Sequence, residues 1–291
     1  MEKITQSLAG RIINFKLYPF TLNELFYKTY DTDIEQIFKI KQDKKKLKKS
    51  LDEIIFAGFY PRIHDKNLTP GKWIESYIQT YVERDIRMII NVKELKLFEN
   101  FLKICAANSG QIINYASISN SIGVSQQTVK SWISLLEVSG IILILQPHFK
   151  NYKKRIIKAP KLYFIDTGLL CYLLSIRKPL DLKNHPLYGN IFETLIISEF
   201  YKRILHIGEK PPIYYWRDKT GNEIDLLVDY GLTQFPLEIK SSKTFNLNFT
   251  NIINKWLNLE NNTNSRGLVL YRGEQVVGNN KDVPAAPWYC L

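Results

Sequence analysis

The chain has 291 residues, a length typical of two domains or of three small ones. Hydrophobic residues make up 45% of it and charged residues 23%, which excludes an intrinsically disordered protein. The longest aliphatic run covers residues 141–145, far short of the roughly 20 apolar residues that cross a bilayer. The first six residues are polar, so we expect no secretory signal and no membrane partner. The three cysteines are scattered, which predicts a cytoplasmic protein and argues against a disulfide framework or structural zinc.

The positive charge is concentrated in two short stretches. Forty basic and 28 acidic residues give a net charge of +12. Residues 39–49 hold seven lysines and one aspartate, and residues 150–161 hold six basic residues and no acidic one. Such clusters attract a polyphosphate backbone. We interpret the first as a solvated helix or linker, and the second, which adjoins a motif, as a contact for nucleic acid.

The first hundred residues are predicted to be helical. Thr21 and Glu24 have the spacing of a capping box. A short apolar helix is predicted over residues 51–59, and polar residues 62–72, with Pro70 and Gly71, mark a domain boundary. Apolar residues at helical spacing predict two further helices, over residues 73–90 and 95–107.

Residues 111–165 have the order of a winged helix. The pattern predicts helices over residues 115–122 and 126–138, with Ser125 as an N-cap, and then strands at 141–145 and 161–165 joined by a basic loop. In that fold the second helix enters a major groove and the wing contacts phosphate. The alternative is a helical module that binds another protein, because the second helix carries a single basic residue. The residues predicted to contact DNA are Lys130, Lys150, Lys153, Lys154 and Arg155.

From residue 189 onward the predicted order is helix, three strands, helix, strand. The first helix, over residues 191–205, is amphipathic and carries Glu193 and Glu199. Strands follow at 211–217, 222–229 and 235–240, then a helix at 245–259 and a strand at 267–271. We expect the second and third strands to form a hairpin around Tyr230 and Gly231.

This hairpin carries the residues with chemistry. Because strand residues alternate faces, Asp225 shares a face with Glu223, and Glu238 shares one with Lys240. Paired carboxylates suit a hard cation such as Mg²⁺ or Mn²⁺, and a neighbouring lysine can orient water and offset charge on a phosphate. The pattern therefore predicts a phosphodiesterase site at Asp225, Glu238 and Lys240, with Glu193 as an additional metal ligand. The alternatives are a solvated ion pair or an inactive relative that keeps its ion pairs for structure.

Several motifs resemble one bacterial family. They are SLAGR at residues 7–11, LYPF at 17–20, YVERDI at 81–86, PKLYFIDTGLL at 160–170, FE at 192–193, EIDLL at 223–227 and PLEIKSS at 236–242. Together they resemble AAA+-like ATPases whose C-terminal part is the domain of unknown function DUF4143. That part is similar to the PD-(D/E)xK nucleases. The similarity implies that Asp225 and Glu238 bind metal, that Lys240 is the catalytic lysine and that Glu193 is the helix acid.

Two departures from the resemblance shape the prediction. No proline precedes Asp225, and no GxxxxGK[ST] loop is found, since Gly71 and Lys72 are followed by Trp73. We therefore expect no ATP binding, and we expect the chain to begin inside an ATPase module.

The expected fold is a multidomain α/β protein in three parts. Residues 1–72 would be an AAA+ remnant, 73–166 a helical and winged-helix domain, and 167–291 the nuclease-like domain. Three function classes stay open: a Mg²⁺-dependent or Mn²⁺-dependent DNA phosphodiesterase, a catalytically silent DNA-binding or adaptor module, and a non-functional fragment of a split ATPase. The expected partners are DNA and an AAA+ ATPase subunit or missing N-terminal half.

Overall fold

The protein is a mixed α/β structure with two sheets, as the composition and periodicity predicted. The computed structural model describes residues 16–26, 49–81, 86, 95–149, 159–259, 266–278 and 283–291. Within these residues, none of the helices has the length and apolar character that a bilayer crossing requires.

The N-terminal part consists of short helices, the first of which begins at the predicted cap. Their bounds are Leu22–Leu25 (α1), Leu51–Ala57 (α2), Pro61–Asp65 (α3) and Pro70–Thr80 (α4). Thr21 and Glu24 form the predicted capping box, and Ser50 and Glu53 form a second one at the start of α2. Each box satisfies backbone N–H groups that the first helical turn leaves without partners.

A three-stranded antiparallel sheet follows, in the order β1-β3-β2. Its elements are Leu95–Ala107 (α5), Gln111–Ile112 (β1), Tyr115–Ile122 (α6), Gln126–Val138 (α7), Ile142–Leu145 (β2) and Lys161–Phe164 (β3). Ser125 caps α7 as predicted, by accepting a hydrogen bond from Thr128 N. The sequence pattern missed β1, which has two residues. It pairs antiparallel with β3, where Gln111 is opposite Leu162.

The second sheet has five strands and carries the candidate site. After Thr167–Leu173 (α8) and Pro179–Leu182 (α9) come Tyr188–His206 (α10), Ile213–Arg217 (β4), Glu223–Asp229 (β5), Gln234–Lys240 (β6), Asn251–Leu257 (α11), Leu268–Tyr271 (β7) and Ala285–Pro287 (β8). Strands β4, β5 and β6 form an antiparallel meander, and β6, β7 and β8 run parallel. The order helix, three strands, helix, strand was predicted, whereas β8 was not.

Helix α10 differs from the amphipathic prediction. Apolar residues such as Leu195 and Phe200 are buried, but so are Ser198, Glu199 and Lys202. Buried polar groups need partners, and the N-terminal segment supplies them: Leu22 N donates to Glu199 Oε2 at 2.9 Å, and Lys202 Nζ donates to a backbone carbonyl at 2.6 Å. Both faces of the helix are therefore buried. The helical spacing of polar and apolar residues does not predict this, because the buried polar residues look like a solvent-exposed face in the sequence.

Asp166 joins α2 to α8. One of its carboxylate oxygens caps α8 through Leu169 N at 2.7 Å, and the other accepts from Phe59 N at 2.6 Å. Gly58 lies against this carboxylate with φ of +68°, and a Cβ there would stand 2.5 Å from Asp166 Oδ1. The close approach explains why glycine occupies this position.

The two sheets meet along the edge of β4. Pro147, just beyond β2, bridges to Tyr215 in β4, and Tyr215 N donates to Gln146 O at 3.0 Å. His148 Nε2 contacts Asp229 Oδ2 at 3.0 Å, and this hydrogen bond, more than any other, lowers the pKa of Asp229. One apolar core runs through the N-terminal helices, the first sheet, α10 and the second sheet. The chain leaving β2 therefore lies beside the sheet that carries the carboxylates.

Candidate functional site

The pairing of β5 with β6 brings Asp225 and Glu238 to one face of the sheet. Leu226 pairs with Leu237 in antiparallel register, and Asp229 pairs with Gln234 across the expected turn. Asp225 and Glu238 adjoin the first pair on their strands, so alternation places both on the face opposite to Leu226 and Leu237. A slip of one residue would have placed the two carboxylates on opposite faces.

Asp225 is fixed to the neighbouring strand by its own side chain. Its Oδ2 accepts a hydrogen bond from Ile239 N at 2.8 Å. Burial raises the pKa of Asp225, while the ammonium groups of Lys240 and Lys161 and this hydrogen bond oppose the rise. The carboxylate is thus held in place by a backbone donor.

Glu238 is a buried carboxyl group whose pKa is raised. Its residue is 5% exposed, and burial, followed by the negative charge of Asp225, raises its pKa to about 8. Lys240 Nζ donates to Oε1, whereas Oε2 is buried and has no hydrogen-bond partner among the described residues. A buried carboxylate oxygen without a donor is costly, and a bound cation would relieve that cost.

Lys240 is the accessible member of the cluster. About a third of its side chain, 35%, is exposed. Burial lowers its pKa, but the charges of Asp225 and Glu238 outweigh that effect and raise it. Lys240 therefore stays an ammonium at neutral pH, at the solvent edge of the cluster.

Glu193 approaches the cluster from α10. Burial and then the charge of Asp225 raise its pKa to about 7, although Lys161 opposes the rise. Its Oε1 accepts from Tyr163 Oη at 2.5 Å and from Lys161 Nζ at 3.4 Å. Both donors lie on β3, so the first sheet positions this carboxylate.

Lys161 is the residue that sequence reasoning missed. The sequence pattern places it only in the basic stretch at residues 150–161. Its side chain is 5% exposed, and Nζ lies 2.5 Å from Glu223 Oε1. Burial lowers the pKa of Lys161, but the charges of Glu193, Glu223 and Asp225 raise it further, so it remains charged. The sequence shows only that Lys161 begins a strand. Strand alternation gives the face on which a residue lies, but it does not identify a partner on another sheet or helix.

The described part of the chain contains no group of three or more His, Cys, Asp or Glu side chains arranged to hold a metal ion. The carboxylates instead contact two ammonium groups. Lys161 contacts Glu193 and Glu223, and Lys240 contacts Glu238. The metal-ligand roles assigned to Asp225, Glu238 and Glu193 therefore stay predictions, as does the catalytic role of Lys240.

The predicted DNA contacts are only partly described. Lys130 is exposed on α7, and its Nζ lies 5.5 Å from the centre of the Tyr115 ring. Lys150, Lys153, Lys154 and Arg155 lie outside the described residues. The ends of this basic loop are described: Ala159 O accepts from Tyr215 Oη at 2.8 Å, next to the second sheet.

Two family models match the chain. Residues 48–180 match "Domain of unknown function (DUF8612)". Residues 188–291, which contain α10 and the whole second sheet, match "Domain of unknown function (DUF4143)". The second match confirms the DUF4143 part of the resemblance.

The chain is also similar to proteins that are described as uncharacterized. Over 178 residues it is 30% identical to Rv2008c of Mycobacterium tuberculosis and to Mb2031c of Mycobacterium bovis. The aligned residues make up 61% of this chain and 40% of each relative. A protein of Haemophilus influenzae is 21% identical over 202 residues, 67% of this chain and 46% of that protein. The chain thus spans less than half the length of the curated relatives it matches. No solved structure matches it. These comparisons relate residues 188–291 to the family DUF4143.

Proposed function

We propose that the chain is a metal-dependent DNA phosphodiesterase built from a winged helix and a PD-(D/E)xK nuclease-like domain. The order of elements supports both parts. Residues 95–164 run helix, strand, helix, helix, strand, strand, and residues 188–271 run helix, three antiparallel strands, helix and a parallel strand. The relation of the N-terminal helices to an AAA+ module belongs to the same proposal and rests on the sequence resemblance.

One observation carries the proposed chemistry. The register of β5 and β6 gathers Asp225, Glu238 and Lys240 on one face, and Glu193 faces them from α10. Carboxylates are the ligands that Mg²⁺ and Mn²⁺ prefer, and the cluster offers oxygen donors without histidine or cysteine. The partnerless Oε2 of Glu238 fits such a cation. Asp225 and Glu238 would hold the metal, with Glu193 as a third ligand.

The protein's own residues would do the following work. When bound, the metal supplies Lewis acidity and a more acidic water. Asp225 and Glu238, held by backbone and side-chain hydrogen bonds, would hold the metal in a fixed position relative to the sheet. The ammonium group of Lys240, at the solvent edge, orients the attacking water and offsets charge that develops on the phosphate.

DNA affinity would come mainly from outside the nuclease-like domain. Residues 189–291 contain 11 basic and 11 acidic residues, so this region has no net charge with which to attract a phosphate backbone. Of the six basic residues at 150–161, Lys161 is buried against carboxylates, which leaves five at residues 150–158 for phosphate, and the described end of the stretch contacts β4 through Ala159. The proposal therefore assigns phosphate binding to the wing and cleavage to the neighbouring sheet.

A second candidate is a catalytically silent DNA-binding or adaptor module. The contacts of Lys161 favour it, because an internal ammonium satisfies carboxylates that a metal would otherwise use. The two candidates differ in a single property, which is metal-dependent cleavage.

The deciding experiment is Mn²⁺-dependent nicking of supercoiled plasmid. We expect Asp225→Asn to abolish nicking while the variant unfolds as cooperatively as the parent, because asparagine keeps an acceptor for Ile239 N. The matched control is Asp65→Asn, which removes an exposed carboxylate paired with Lys66. Equal nicking by Asp225→Asn and the parent would refute the assigned site. No nicking by a folded parent would leave the silent module as the function.

A further inference from the structure

We propose that Lys161 acts as an internal cation that occupies the carboxylate cluster until a divalent metal displaces it. The inference rests on the proposed metal site and adds a regulatory element to it. Metal entry would then require movement of a side chain that belongs to the other sheet. The first sheet and the carboxylates of the second domain would be linked through this one ammonium group.

The contacts of Lys161 support this role. Its Nζ lies 2.5 Å from Glu223 Oε1 and 3.4 Å from Glu193 Oε1, and its side chain is 5% exposed. It extends from β3, whereas Glu223 belongs to β5 and Glu193 to α10. An ammonium group has three donors and a single charge, so it can satisfy Glu193, which the proposed site assigns to the metal, together with Glu223.

The same strand holds Glu193 with a second donor. Tyr163, two residues after Lys161, donates its hydroxyl to Glu193 Oε1 at 2.5 Å. Residues two apart on a strand share a face, so β3 presents both groups to the cluster. In the metal-free chain, Glu193 is therefore bound by Tyr163 and Lys161 of the first sheet. It could bind a metal through Oε1 only after these contacts change.

Competition follows from the charges. A lysine and a divalent cation within a few ångströms repel each other, and each alone stabilises the carboxylates. Removing the ammonium should therefore strengthen metal binding. If Lys161 instead supported the metal site by shaping it, the same change would weaken binding.

The test is calorimetric titration of Mn²⁺ into the full chain. We expect Lys161→Met, which keeps the length of the side chain, to bind Mn²⁺ at least about tenfold more tightly than the parent, since one opposing charge is gone. The double variant Lys161→Met with Asp225→Asn should lose this binding. Lys66→Met is the matched control, because Lys66 is an exposed lysine in a surface ion pair, and it should bind like the parent.

Thermal unfolding gives a second readout that does not depend on activity. Lys161→Met should unfold at a lower temperature than the parent without metal, and Mn²⁺ should raise its midpoint by more than it raises that of the parent. Where the variant does not fold alone, Mn²⁺ should restore cooperative unfolding, and failure to do so overturns the proposal.

The outcomes separate this inference from the proposed function. Equal or weaker Mn²⁺ binding by Lys161→Met, with binding by the parent that Asp225→Asn abolishes, overturns displacement and keeps the metal site. Absence of binding in the parent and in Lys161→Met overturns both. Binding by Lys161→Met alone supports displacement most directly.

Discussion

Replacing Glu238 by glutamine should make the metal-free protein less sensitive to rising pH. Glu238 has a pKa of about 8 in the folded chain against an ordinary value of 4.5, because it is buried and lies near Asp225. The folded state therefore holds a proton that the unfolded state releases. The stability linked to this proton is fully present below about pH 4.5 and is lost as the pH rises through about 8.

The size of the effect follows from the pKa difference. Between the two pKa values, the folded state binds up to one more proton than the unfolded state. The free energy of unfolding therefore falls by up to about 1.4 kcal/mol for each unit by which the pH rises. From about pH 5.5 to about pH 7.5, the parent should lose up to about 3 kcal/mol through Glu238. Glutamine does not titrate, and its amide oxygen can still accept a hydrogen bond from Lys240, so the variant should lack this loss.

Urea unfolding at a series of pH values measures the difference. The free energy of unfolding of Glu238→Gln, minus that of the parent, should rise steadily across this range. Glu209→Gln, which changes an exposed carboxylate, is the control, and its free energy of unfolding should follow that of the parent. Parallel profiles for the parent and Glu238→Gln would refute the reasoning, because they would mean that Glu238 ionises as easily in the folded chain as in the unfolded one.

Three further predictions concern DNA, nucleotide and the packing of α8. Replacing Lys153, Lys154 and Arg155 with alanine should weaken DNA binding for all sequences alike and reduce the salt slope by up to about 3; filter binding at several salt concentrations tests this, and an unchanged slope contradicts it. ATP should not bind, because no phosphate-binding loop is found in the sequence, so a micromolar dissociation constant by calorimetry would overturn this expectation. Gly58→Ala should cost about 1–3 kcal/mol or more in urea unfolding, since its φ is +68° and the added Cβ would meet Asp166 Oδ1. Gly71→Ala, whose Cβ meets nothing within 4 Å, is its control, and equal losses in both variants would argue against the contact.

The local structure was accessible from the sequence because its causes are local. Capping boxes, N-caps and turn glycines act over three or four residues, and strand alternation acts over two. The hairpin of β5 and β6 combines these signals with a short turn, so the register that places Asp225 and Glu238 on one face could be expected. The family motifs added the DUF4143 match for residues 188–291.

The tertiary structure decided which distant groups meet. Lys161 was counted with a basic stretch, yet it is buried against Glu193 and Glu223, 32 and 62 positions further along the chain. Helix α10 was expected to be amphipathic, but the N-terminal segment covers its second face and supplies partners for Glu199 and Lys202. Periodicity records how a residue is oriented on its own element. It carries no information about which other element packs there, because that depends on the shape and charge of surfaces that come together only when the chain folds.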